Sequence, residues 1–439
     1  VIAATPEPHK VLLIGNYRAT VTVARELGKR GHTIVVGCAG DEEGGAEHSR
    51  YCARSFQHPP ASTGGVFIDA LHDLLRSDPD ISVVLPVSER YVRLVNAHRT
   101  ELPQDRIYAM PDADIVDICL DKARTLAHAI EAEVPVAPFR DVTTLAQLGD
   151  AADALGFPLV IRPFDSMQRL FGQKALVIRS REELVARFAG WPGDHASLLV
   201  QQKVSGRRHN VYFAAEQGRP IRLLEAVVLR TDKPDGTGLA VEGMTQKLRS
   251  VSRHYTTRLL NALAYHGVGC AQFLVDPASG RTHFLEINPR IAGHHAVAER
   301  AGLGLSELAI ALAAGRTLEE TFREGTAGIR YAWGYGELRA LKSRFASGEI
   351  DLAGLARGLA LVADTAFRAD LQVDWEFSDP RPTFETYRRV FAPALRPPLF
   401  MRQAAETIRR VAARPAFRPR DRRPPDRAKT SGAAPAASP

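Results

Sequence analysis

The most constraining stretch of this chain is residues 270–290, Cys-Ala-Gln-Phe-Leu-Val-Asp-Pro-Ala-Ser-Gly-Arg-Thr-His-Phe-Leu-Glu-Ile-Asn-Pro-Arg. Two short apolar-rich runs flank Pro277, Ser279 and Gly280, which are turn formers. This is the signature of a β-hairpin with a longer loop. Strand side chains alternate faces, so Glu286 and Asn288, with Arg290 past the strand end, are expected on one side. Folding the hairpin symmetrically about Ser279 sets Gln272 opposite Glu286, with Cβ atoms about 5 Å apart. Ala271, Phe273, Val275, Leu285 and Ile287 then form the other, apolar face. A cluster of Gln, Glu and Asn oxygens suits a hard cation such as Mg2+, which leaves room for phosphates. The same pattern also describes an ordinary half-exposed hairpin, and the rest of the chain has to decide between the two.

The 439 residues leave room for about three domains. From Lys10 to Ser88 the sequence alternates strand and helix: Val11–Gly15, a helix from about Thr20 to Arg30, Thr33–Gly37, a helix near Val66–Arg76, Ile81–Pro86, and a helix from Ser88. Such alternation predicts a parallel α/β sheet. A dinucleotide site does not fit. Gly15-Asn-Tyr-Arg-Ala-Thr20 lacks G-x-G-x-x-G, and Val36-Gly37-Cys38 offers no acidic residue for a ribose. A Rossmann-like scaffold fits better, with Ser88 and Glu89 as substrate-contact candidates because loops at the carboxyl ends of such strands line clefts. A helix cap is the competing role for Ser88.

Further on, Asp121-Lys122 opens a helix. Leu155-Gly-Phe-Pro-Leu-Val-Ile-Arg-Pro163 reads as a helix end and a strand finishing on Arg162. The loop Phe164–Gln173 then precedes a strand, Ala175–Arg179. A basic residue ahead of a strand–loop–strand is a plausible lid over a polyphosphate, because guanidinium forks onto phosphate oxygens. Gly172 is the loop's lone glycine, fewer than phosphate-cradling loops usually carry.

Taken in order, Asp121-Lys122, Gly156–Pro163, Leu199-Val-Gln-Gln-Lys-Val-Ser-Gly206, Gln272-Phe273 and Phe284-Leu-Glu-Ile-Asn-Pro-Arg290 resemble the ATP-grasp superfamily, with the carbamoyl phosphate synthetase large-subunit module as the closest flavour. The resemblance covers roughly residues 10–316. It implies a Rossmann-like pre-ATP-grasp domain (9–112), a two-subdomain α+β ATP-grasp fold (113–318), a helical C-terminal extension packed on the grasp (319–394) and a tail (395–439). Carried over position by position, it implies that Lys122 and Arg162 hold phosphates. Gln201, Gln202, Lys203 and Val204 would form the hinge that receives adenine. Gln272, Glu286 and Asn288 would hold Mg2+ or Mn2+, and Arg290 would meet the γ-phosphate or an acyl phosphate, acting in catalysis with Arg162. The chain departs from the family at Gln202 and Arg208, where acidic residues usually stand, and in the lid sequence Ser166–Phe171. Neutral Gln202 can still hydrogen-bond adenine or ribose, whereas Arg208 cannot accept from a ribose hydroxyl.

The activity implied is ATP-dependent activation of a carboxylate as an acyl phosphate for attack by an amine, with small-molecule carboxylate and amine as partners. The alternatives left open are a carbamoyl- or carboxyphosphate-forming module and a nucleotide-binding regulator without turnover. Lys247, His294 and His295 join Ser88 and Glu89 as weaker substrate candidates. For the two histidines, local hydrogen bonding at a helix start is the rival role.

Composition narrows the setting. From Leu395 onward eleven Lys or Arg face three Asp or Glu, more than the whole net charge of +7. The body is therefore near neutral, which argues against a nucleic-acid-binding core. Phe400, Ala404, Ile408 and Val411 share a face of a basic amphipathic segment, so a membrane surface or acidic partner competes with simple docking on the body. No signal-like opening segment, no apolar run near ~20 residues and no paired cysteine spacing is visible. The expectation is a cytoplasmic protein, with a homodimer contact through 319–393 as an open option.

Overall fold

The computed structural model describes residues 7–165, 167–316 and 322–391. The basic segment beyond Leu395 lies outside them, as does Ser166 of the lid sequence. Among the described residues no helix is long and apolar enough to cross a membrane.

The amino-terminal strands β1 (Lys10–Ile14), β2 (Thr33–Cys38), β3 (Cys52–Gln57), β4 (Ile81–Pro86) and β5 (Ile107–Tyr108) form a five-stranded sheet in the order β3-β2-β1-β4-β5. All its pairings are parallel. The helices α1 (Arg18–Lys29), α2 (Gly65–Ser77) and α3 (Glu89–Ala97) make the crossovers. Strands β1 and β4 are near-continuous apolar runs, buried along almost their whole length, as expected for a sheet covered on both faces. The chain order reverses between β1 and β4, and the crevice outside the carboxyl ends of such strands is where open α/β sheets receive ligands. Here that crevice is flanked by Gly15–Arg18 and Val87–Glu89. The Gly15-Asn16 turn is spent on structure: Asn16 bonds Glu47 at 2.6 Å and accepts from the Ala46 amide.

Two helices, α4 (Ala113–Leu120) and α5 (Lys122–Glu131), lead into a four-stranded antiparallel sheet. It comprises β6 (Phe139–Val142), β7 (Leu159–Pro163), β8 (Leu176–Ile178) and β9 (Leu198–Gln202) in the order β6-β9-β7-β8, with α6 (Leu145–Leu155) and α7 (Arg181–Arg187). Asp121 caps α5 by accepting from the Arg124 amide at 3.0 Å. The capping carboxylate fixes where the helix starts and therefore where Lys122 sits. The lid candidate is anchored midway: Leu170 is fully buried, and His195 meets Gln168 and the Arg169 carbonyl at 3.1 Å each.

The largest sheet has eight strands. Its main path is β14-β13-β10-β11-β12-β16-β17, with β15 paired to β11. These are β10 (Arg207–Glu216), β11 (Arg219–Thr231), β12 (Ala240–Gln246), β13 (Gly267–Val275), β14 (Thr282–Asn288), β15 (Arg323–Glu324), β16 (Arg330–Ala332) and β17 (Leu371–Gln372). The helices α8 (Ser250–Ala262), α9 (His295–Arg300) and α10 (Leu305–Ala313) belong to it. One face of β10 and the hairpin, with Val211, Phe213, Ala271, Phe273, Phe284 and Ile287, packs into an apolar core. The other carries Arg208, Asn210, Tyr212, Cys270, Gln272, Glu286 and Asn288, by alternation from the observed pairing.

The carboxyl-terminal extension adds α11 (Gly334–Ala346), α12 (Leu352–Arg368) and α13 (Arg381–Phe391), and also the last two strands on the main path of the large sheet, β16 and β17. It is tied in by charge. Arg230 meets Glu242 at 2.6 Å and Glu337 of α11 at 2.5 Å, while Arg330 meets the same Glu242. Asp379 accepts from Arg25 at 3.0 Å and Ser49 at 2.7 Å, so the extension also reaches the amino-terminal sheet.

Candidate functional site

The hairpin β13–β14 pairs Cys270 with Asn288, Ala271 with Ile287 and Gln272 with Glu286. That is the register expected from folding about Ser279. The turn is closed by Asp276, whose carboxylate accepts from the amides of Ala278 (2.8 Å) and Ser279 (3.1 Å). One expectation is corrected. The register shifts after Gln272, so Phe273 pairs with Phe284, and Leu285 is the extra residue of a β-bulge. Phe284, not Leu285, takes the core position and packs edge-on to Phe273 at 5.8 Å. A fully buried aromatic side chain contributes about 2–3 kcal/mol, enough to select the bulged register.

On the polar face, Asn288 donates to Glu286 at 3.3 Å and accepts from Arg290 at 3.2 Å. Cations converge on Glu286 from three other places. Lys122 opens α5 and donates to the Phe164 carbonyl at 3.1 Å. Arg162 ends β7 and donates to Gln201 at 2.7 Å. Lys174 follows the lid candidate. Burial works against charge on Glu286, but Lys122, Arg162, the Asn288 bond and Lys174 together hold it below the usual carboxylate range. Burial in turn pushes Lys122 down to about 8 and lowers Arg162 and Lys174. None of these cations forms an ion pair with Glu286; among the described residues its side chain accepts from Asn288 alone. A half-buried carboxylate ringed by bases beyond contact distance leaves space for a cation–polyanion pair between them.

Other candidates resolve differently. Glu89 comes 3.9 Å from Arg290 and shares the electrostatic environment of Lys122 and Lys174. Ser88 is the N-cap residue of α3, but its side chain makes no cap hydrogen bond; it lies against Gly15, where a Cβ would meet its hydroxyl at 2.7 Å. The Gln201 side chain serves Arg162. Gln202 donates to the Leu155 carbonyl at 3.2 Å, which points its amide to α6. In the hinge segment the amides of Gln202 and Lys203 are taken by the carbonyls of Pro138 and Pro158, whereas the Val204 amide has no main-chain partner among the described residues. Lys247 is exposed and makes no ion pair or hydrogen bond among the described residues. His295 is a structural residue, buried and bonded to Ser306 at 2.8 Å and Glu299 at 3.0 Å. His294 is buried against Tyr331 and Trp333, with ring centroids 5.4 and 5.9 Å away.

Lys174 and Arg18 are missed by the sequence reading. Lys174 directly follows the stretch read as a lid, and its signal would have been a lone basic residue at a loop's end. Nothing local marks Arg18; it matters because Gly293 leaves room for it, its Nη2 lying 2.5 Å from where a Cβ would stand.

A sequence-family profile described as "Carbamoyl-phosphate synthase L chain, ATP binding domain" matches residues 240–321, which include the hairpin. The carbamoyl phosphate synthase large chain of Pyrococcus furiosus is 25% identical over 229 residues, covering 49% of this chain and 21% of its own length. Among solved structures, the biotin carboxylase domain dimer of Hydrogenobacter thermophilus 2-oxoglutarate carboxylase, in complex with MgADP, ADP and bicarbonate, superposes with a TM-score of 0.60 at 16% identity, covering 74% of each chain. The L-amino acid ligase of Bacillus licheniformis gives 0.53 at 15% identity, covering 70% of this chain and 74% of its own. This chain has the ATP-grasp fold, and its residues 240–321 match the ATP-binding domain of the carbamoyl-phosphate synthase large chain. It spans about a fifth of the length of the curated relatives it matches. Glu286 stands on the large sheet four residues before Arg290, within electrostatic reach of Arg162 on the four-stranded sheet.

Proposed function

We propose that this protein is an ATP- and Mg2+-dependent ligase that activates a carboxylate as an acyl phosphate for attack by an amine, releasing ADP and phosphate. The observation that carries this reading is Glu286: half-buried, held ionised, and surrounded by Lys122, Arg162 and Lys174 without touching any of them. Gln272, Glu286 and Asn288 offer the amide and carboxylate oxygens that a hard divalent cation takes, so the residues present fit Mg2+. When bound, that ion supplies neutralisation of the triphosphate charge. The chain's own residues do the rest. Lys122, Arg162 and Lys174 orient and neutralise phosphate oxygens from the small-sheet side. The Val204 amide is free for the adenine edge. Arg290, fixed by Asn288 and the Ile291 carbonyl, meets the transferring phosphoryl group and the carboxylate oxygen from the large-sheet side. Phosphoryl transfer asks mainly for such positioning and charge neutralisation.

A second reading, in which the carboxylate is bicarbonate, is favoured by the bicarbonate in the Hydrogenobacter neighbour's complex. ADP release across pools of carboxylates, with and without amines, separates the two. Ligase activity needs both substrates, whereas the second reading needs bicarbonate. Glu286→Gln is expected to lower ADP release at least 100-fold; a variant that kept full turnover would overturn the site.

A further inference from the structure

The polar face of the large sheet continues beyond Arg290. From Asn210 and Arg208 on β10 it crosses Gly243 on β12 to Tyr331 on β16, by the observed pairing. Gly243 is required there, because a Cβ would meet the Tyr331 hydroxyl at 2.3 Å. His294 and Trp333 stand over this strip, and Arg18 reaches in from the β1–α1 loop at the crevice between β1 and β4. The Arg18 guanidinium lies 3.8 Å from the Trp333 ring centroid, and its Nε donates to the Gly293 carbonyl at 2.7 Å.

Two independent observations mark this place as built for a ligand. The first is a concentration of buried, unpartnered polar atoms: Arg290 Nε, Arg208 Nε, Asn210 Oδ1, Tyr331 OH, His294 Nε2, Trp333 Nε1 and Asp374 Oδ2. Tyr331, Trp333, His294 and Asp374 are each less than a tenth exposed, and a native fold rarely leaves so many orphans in one place. The second is a charge imbalance. Arg18, Arg208 and Arg290 act on one another or on His294, and only Arg290 among them has an acidic ion-pair partner, Glu89 at 3.9 Å. Glu43 is engaged by Arg339 at 2.7 Å, and Asp374, although it acts on Arg18, forms no ion pair with it among the described residues. The two terminal nitrogens of Arg18 have no acceptor among the described residues. The thirteen-residue α11 begins at Gly334, directly after Trp333; the Tyr335 amide faces the Tyr387 hydroxyl, whereas the amides of Gly334 and Gly336 donate to no group among the described residues. Free amides, a helix N-terminus and a pinned guanidinium together favour an anion.

We propose that Arg18, held by Trp333 and Gly293 and assisted by the amides opening α11, is a second anion subsite beside Arg290, so that the substrate of this enzyme carries two anionic groups. This rests on Arg290 as the group that meets the reacting carboxylate. The second group is a carboxylate or a phosphate; both match a guanidinium fork. His294, kept neutral by burial and by Arg18 and Arg208, offers a hydrogen bond between the two ends.

Binding to the full-length protein, followed by thermal shift, tests this with butyrate (one anion), glutarate (two carboxylates) and 3-phosphonopropionate (carboxylate plus phosphonate), each with and without Mg2+ and a non-hydrolysable ATP analogue. The expected result is at least tenfold tighter binding of glutarate or phosphonopropionate than of butyrate, whichever is preferred identifying the second group. That preference should fall to twofold or less in Arg18→Gln and return in part in Arg18→Lys, while the nucleotide shift of both variants shows that they are folded. Equal affinities in the native protein, no binding of either dianion, or a preference that survives Arg18→Gln would overturn the proposal. If the nucleotide analogue fails to bind, the ligase reading fails, and the dianion preference measured without nucleotide still decides the subsite.

Discussion

Lys122 and Asp374 show how single residues make the site testable through pH. The ammonium of Lys122 is pushed down to about 8 by burial, with Arg162 adding to the effect and Glu286 opposing it. A phosphate-binding lysine must be protonated, so Mg–ATP affinity is expected to be flat below pH 7 and to weaken about tenfold per pH unit above 8. In Lys122→Arg that limb should move beyond pH 10, because guanidinium stays charged; calorimetric titration at pH 6.5–9.5 measures it, and an unmoved limb would take Lys122 out of the phosphate site. Asp374 runs the other way. Burial raises its carboxyl from 3.8 to about 6, so the fold prefers it protonated. The stability this gives is complete below about pH 4 and is lost as pH rises through 6. Asp374→Asn, fixed in the neutral form, should exceed the native protein in stability by on the order of 3 kcal/mol above pH 6 and converge with it below pH 4. Urea unfolding at pH 4, 5, 6 and 7.5 tests this; a constant difference would show that the carboxyl is not the titrating group.

Loops between elements place the key groups, and Gly293 is the sharpest case. It follows β14 and opens the turn into α9. Nothing in its backbone demands glycine except the approach of Arg18, whose Nη2 lies 2.5 Å from a would-be Cβ. Gly293→Ala should therefore displace Arg18 at small cost in folding, because the far end of a side chain is what must move. The expected outcome is a Tm within a few degrees of the native value and a dianion preference reduced at least fivefold; an unchanged preference would separate Arg18 from the subsite. The same elements explain what the sequence could tell. The Gln272–Glu286 pairing was legible because Pro277, Ser279 and Gly280 fix a turn and strand periodicity does the rest. The bulge was not, because Phe284 and Leu285 are both apolar, and only the packing of Phe284 on Phe273 chooses between them. The β1–β4 crevice was legible as a cleft from strand–helix alternation. Its occupant Arg18 was not, since its place depends on Gly293 and Trp333, both more than 270 residues away. For Gln202 and His295, hydrogen-bonding capacity was visible in the residue type, but the partners that use it, Leu155 and the pair Ser306 and Glu299, are set by tertiary packing.

At the scale of the whole molecule, the acceptor end of the site is assembled from the first helix, the turn after β14 and the carboxyl-terminal extension, so its geometry depends on how the extension is held. Asp379 is the fastening. It accepts from Arg25 of α1, Ser49 and the Arg50 amide, and Arg25 adds bonds to the Asp374 and Asp379 carbonyls. Both charged side chains are almost fully buried. Removing one partner leaves the other desolvated and unpaired, which costs on the order of 3–5 kcal/mol. Asp379→Ala should therefore lower global stability by about that amount in denaturant unfolding. Because α1 begins at Arg18 and Asp374 precedes Asp379 in the same segment, loosening this fastening should weaken binding of a two-anion ligand as well. The Lys122–Arg162–Glu286 end is carried by β7, α5 and the hairpin, and it has no contact with Asp379. At a temperature where the variant is folded, its nucleotide affinity should therefore stay within about twofold of native. A parallel loss of nucleotide and dianion binding would show that the extension supports the whole cleft rather than its acceptor end.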